Sequence, residues 1–84
     1  MFINKSNSGK NNLCGEKVAQ LRIQLGLSQR QLADTLQLAG LDIDKNAIQR
    51  MECGKRFVTD IELVYLAKVL GVTYERLLNV EENN

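Results

Sequence analysis

Within residues 44–56, DKNAIQRMECGKR, the side chains suited to directional contacts are Lys45, Asn46, Gln49 and Arg50. Asn and Gln amides can bond an adenine edge through two atoms, and Arg and Lys can bond guanine, where those edges line the major groove. An α-helix fits that groove. Turning about 100° per residue places Ala47, Ile48 and Met51 together on one side and Asn46, Gln49 and Cys53 on the other. Lys45 and Arg50 flank the outer side. That side carries long hydrogen-bonding groups rather than acid–base pairs. Taken alone it is equally a plain solvated face, because these residue types are common on surfaces.

Glu52 falls beside Ile48, at the edge of the inward side, and a carboxylate there needs a partner. Arg22 holds the matching place next to a stripe of Val18, Leu21 and Leu25 on an earlier helix. The pattern therefore predicts an Arg22–Glu52 ion pair fixing those two helices together.

Five short helices are expected to position these groups. The first spans about 15–25, with Gly26 placed to end it in the left-handed conformation. The second starts at Ser28, where Ser28 with Gln31 forms a capping box and Leu27 with Leu32 a hydrophobic staple. Leu32, Ala33 and Leu36 face inward, and the helix continues to Ala39, with Gly40 as its stop. The third has Asp44 as N-cap and Ile43 with Ile48 as staple, and ends near Gly54. The fourth opens with a Thr59–Glu62 capping box and a Val58–Leu63 staple. It carries Val64, Ala67 and Leu70 inward and stops at Gly71. The fifth is short, capped by Thr73, with Val72 and Leu77 as staple.

The chain has 84 residues, no proline, 44% hydrophobic and 25% charged residues, which fits one small all-α domain. Residues 1–13 are rich in Asn, Ser, Gly and Lys and read as a flexible tail, or as a basic arm along phosphates. Residues 14–80 form the domain, and 81–84 a polar tail. No apolar run reaches the ~18–20 residues of a membrane span. There is no signal-peptide pattern either, so a cytoplasmic protein with reduced thiols at Cys14 and Cys53 is expected. With no histidine and two cysteines, no zinc site, other metal or cofactor is expected. No nucleophile–base arrangement, paired carboxylates or phosphate-cradling glycine loop points to an enzyme. Net charge is +1, but it is segregated: +4 over residues 1–30, −3 over 31–44, +3 over 45–56 and −3 over 57–84.

LRIQLGLSQRQLADTL, then IQRMECGKR, then IELVYLAKVLGVTYERLL, in that order, resemble the Cro/CI-type (XRE) helix-turn-helix family of phage repressors and bacterial regulators. The resemblance covers about residues 16–80. It implies a five-helix, lambda-repressor-like domain in which helices 2 and 3 form the helix-turn-helix, helix 3 entering the major groove of double-stranded DNA. It also implies base readout by Lys45, Asn46, Gln49 and Arg50, and phosphate contacts from Gln29, Arg30, Lys55 and Arg56. A sequence-specific transcriptional regulator is expected, a repressor acting as a homodimer on a palindromic site. An antitoxin or other protein-interaction module, with a protein partner, is the alternative on the same fold. The C-terminal residues Val72, Leu77, Leu78 and Val80 offer an apolar dimer patch, with Leu77 also suited to the core. One departure stands out: QLAGLDID replaces the family's tight turn between helices 2 and 3, so that either helix 2 is a turn longer or the loop bulges. Asp42 and Asp44 near the groove would repel phosphate, and Asp44 is explained by capping.

Overall fold

The structure, a computed structural model, describes residues 9–78. Five helices follow one another: α1 (Gly15–Gln24), α2 (Gln29–Ala39), α3 (Lys45–Glu52), α4 (Asp60–Leu70) and α5 (Tyr74–Leu78). No strand occurs among the described residues. The all-α, five-helix architecture is the expected one.

Local chemistry sets the helix starts. Ser28 Oγ accepts from Gln31 N (3.0 Å), and Ser28 N donates back to Gln31 Oε1 (2.8 Å). Thr59 and Glu62 repeat this exchange at α4, at 3.2 and 3.0 Å. Asp44 Oδ1 accepts from Ala47 N at 2.8 Å, and Thr73 Oγ1 from Arg76 N at 3.2 Å. Each bond satisfies an N–H that has no partner within its own helix.

Each helix adds to one core. Val18 and Leu21 come from α1, Leu32, Ala33 and Leu36 from α2, Ile48 and Met51 from α3, Leu66, Ala67 and Leu70 from α4, and Leu77 from α5. Leu27, Val58, Leu63 and Val72, all staple residues, pack against it half-buried. Two inward assignments are corrected. Leu25 is 54% exposed: as the C-cap of α1 it still donates its N–H to Leu21 O (3.0 Å), but the buried part of α1 ends with Leu21. Val64 is 48% exposed, because α4 buries the Leu66, Ala67 and Leu70 face.

The long α2–α3 connection is built from both devices. Helix α2 runs on to Ala39, and residues 40–44 then bridge to α3. Gly40 takes φ 114°, a conformation that L side chains rarely adopt. Its N–H donates to Gln37 O (3.1 Å), and Leu41 N donates to Leu36 O (2.9 Å), which closes the helix end. Gln37 Nε2 then donates to Ile43 O (2.7 Å), and the Ile43 side chain is buried. The inserted residues are thus tied at both ends.

Most of the tail expected over residues 1–13 lies outside the described residues, as does Val80. The tail's last part is held in place. Asn11 and Asn12 hydrogen-bond to carbonyls of residues 51–56, and Lys10 pairs with Glu16.

Candidate nucleic-acid interface

Helix α3 sorts its side chains as the pattern predicts. Ile48 and Met51 are fully buried, while Lys45, Asn46, Gln49 and Arg50 are all exposed. Eight residues of helix extend about 12 Å, enough to lay these four groups along three or four base pairs at about 3.4 Å each.

Glu52 anchors the inner end of this helix. Its Oε2 accepts from Arg22 Nε at 2.7 Å and its Oε1 from Arg22 Nη2 at 3.1 Å. Both side chains are largely buried, at 13% and 7% exposure, so the bidentate geometry is what makes a charged pair tolerable there. Arg22 Nη1 also donates to Leu27 O at 2.8 Å, in the α1–α2 turn. Gln29 Nε2 donates to Glu52 Oε1 at 3.0 Å. One carboxylate thereby joins α1, α2 and α3, and holds Gln29 at the first turn of α2, the position from which it would meet a phosphate.

The remaining phosphate candidates differ from one another. Arg30 and Lys55 are exposed. Arg56 is half-buried, and its Nη1 and Nη2 donate to Glu62 Oε1 and Oε2 at 2.8 and 2.9 Å. Those bonds hold the Glu62 carboxyl below the usual carboxylate range. The sequence did not reveal this pair, because the capping box already accounts for Glu62. Nor did it reveal Asn11 and Asn12. The available signal was indirect: the last carbonyls of α3 need donors from somewhere.

Cys14 is 1% exposed, and burial pushes its thiol up to about 11. Cys53 is exposed at the end of α3. Among the described residues no group of side chains is arranged to hold a metal ion, and no helix is long and apolar enough to cross a membrane.

A buried-faced α3 behind an exposed polar row, with α2 packed against it, is the arrangement of a helix-turn-helix domain. The family model described as Helix-turn-helix matches residues 18–77. The chain belongs to this family, in its Cro/CI-type branch, and this membership supports a DNA-binding regulator. No curated protein and no solved structure gives a significant match.

Proposed function

We propose that this chain is a sequence-specific transcriptional repressor that binds a palindromic operator as a dimer. Lys45, Asn46, Gln49 and Arg50 read base edges. Gln29, Arg30 and Lys55 contact phosphate, and Arg56 does so with the N–H groups that Glu62 and the Phe57 carbonyl leave over. The observation that carries the reading is the row of exposed Lys45, Asn46, Gln49 and Arg50 on a helix whose opposite face, Ile48 and Met51, is wholly buried. Backbone grips on either side set the register, and the row between them reads sequence.

Three or four base pairs are too few for tight specific binding, and two-fold pairing doubles the readout. Leu77 is fully buried and belongs to the core, while Val72 and Leu78 are half-buried. Ile61, Val64 and Tyr74 are instead exposed on α4 and α5, with Phe57 just before α4. They form the better pairing surface. The same apolar residues favour a second reading, an antitoxin-like module that covers them with a different protein.

Selection of bound duplexes from a random pool at near-physiological salt tests the proposal. A palindromic motif is the expected result. Weak, salt-sensitive binding without enrichment would remove sequence-specific readout and leave the protein-partner reading.

A further inference from the structure

We infer that Asn12, together with its neighbour Asn11, positions the phosphate-gripping loop at residues 53–56, holding that loop in its binding arrangement before DNA arrives. The inference rests on the DNA-binding role proposed above.

The Asn12 side chain is fully employed. Its Nδ2 donates to Met51 O at 3.0 Å and to Arg56 O at 2.7 Å, and its Oδ1 accepts from Gly15 N at 2.7 Å. Asn11 adds two bonds, from its backbone N to Gly54 O at 2.8 Å and from its Nδ2 to Lys55 O at 3.1 Å. Three successive loop carbonyls, at 54, 55 and 56, are therefore bound by two adjacent asparagines. Asn11 holds the carbonyls of 54 and 55, which fixes the peptide planes on both sides of Lys55 and so the point from which its ammonium reaches out, while Asn12 holds the next carbonyl, at Arg56. The Lys10 side chain lies over Gly54 and covers the same loop.

The residue type follows from this arrangement. Two N–H groups and one acceptor on a short stem are the property of Asn; Asp has no donor and Ser has one. Gly15 complements it. A Cβ there would sit 2.8 Å from Asn12 Oδ1 and 2.2 Å from Met51 O, so glycine leaves the amide its place. A loop that is already ordered spares the entropy of fixing its backbone at the moment of binding. Without Asn12, that loss would fall on the phosphate contacts, which are indifferent to sequence.

The test is fluorescence anisotropy of a short labelled duplex of random sequence, titrated at several salt concentrations with the parent, Asn12→Ala, Lys55→Ala and the double variant. Asn12→Ala, melting cooperatively and with parental helix content, should bind about tenfold more weakly. It should also lower the slope of log affinity against log salt by about one, as Lys55→Ala does. The double variant should be little weaker than Lys55→Ala alone. A residue that merely stabilised the fold would leave the salt slope of the folded protein unchanged, and that result overturns the inference. Should Asn12→Ala fail to fold, Asn11→Ala decides. It removes one exposed bond to the loop, and an unchanged slope there is equally fatal. A parent that binds no duplex at any salt sinks the DNA-binding role and the inference together; a binding parent with unaltered variants sinks the inference alone.

Discussion

Arg22 meets Glu52 with two parallel hydrogen bonds, 2.7 Å from Nε and 3.1 Å from Nη2, across the junction of α1 with the end of α3. Removing one partner strands the other in a largely dry place. Arg22→Met should cost about 3 kcal/mol, at the low end for a broken buried pair because Gln29 still donates to Glu52. In a domain of this size that lowers Tm by more than about 10 °C. Calorimetry of the variant checks it, and an unchanged Tm would show that the pair is not structural.

Gly15→Ala separates helix propensity from packing. Propensity favours alanine over glycine by about 1 kcal/mol in a helix interior, and by less at the first position of α1, where Gly15 stands. The added Cβ would sit 2.2 Å from the Met51 carbonyl oxygen, a backbone atom that cannot rotate away. Net destabilisation of about 1–3 kcal/mol is expected from the overpacking, read as a lower urea midpoint with an unchanged slope.

Glu62 makes stability pH-dependent. Its carboxyl is held below the ordinary 4.5, first by the Arg56 hydrogen bonds and with help from the cap at Thr59. A carboxyl depressed in the folded state contributes stability above its unfolded pKa and loses it as pH falls through the folded value. Melting temperature should therefore fall as pH drops below about 4.5, and Glu62→Gln should flatten that fall. An equally steep fall in the variant would assign the acid sensitivity to other carboxylates.

Arg50→Ala and Lys55→Ala should fail in different ways. The first should relax preference at one base pair, by about 1–3 kcal/mol, with other positions intact. The second should weaken every sequence alike and reduce the salt slope by about one. Competition binding against single-site operator variants distinguishes them, and identical profiles would refute the division of labour.

Val64→Glu should leave the fold intact, since the side chain is 48% exposed, while abolishing self-association. Sedimentation at high concentration, with and without operator DNA, reads this out. A variant that pairs as the parent does would move the dimer contact elsewhere.

What was legible in the sequence is what is local. Ser28 with Gln31, Thr59 with Glu62, and Asp44 announce helix starts within four residues, and each forms as expected. The Arg22–Glu52 pair was legible across 30 residues because two helical faces each left a charge at the edge of an apolar stripe. Helix α4 was harder. With Ile61, Leu63, Val64, Tyr65, Leu66 and Val69 all apolar or aromatic, its pattern does not single out one face. Packing against α1, α2 and α5 makes the choice. Asn11 and Asn12 were not legible at all. The carbonyls that their side chains bind lie 39 to 44 residues away, and a run of Asn, Ser and Gly reads as solvated chain.

The burial of Cys14 gives the domain an internal gauge. Cys53 stands in solvent at the end of α3, while Cys14, beside the Asn12 clamp, is 1% exposed with its thiol pushed up to about 11. An alkylating reagent reacts with thiolate, so near neutral pH it should consume Cys53 first and reach Cys14 at the rate at which the core around it opens. The slow phase of labelling then times that opening in the unmodified protein, and any slowing by added duplex measures how far binding stabilises the closed domain.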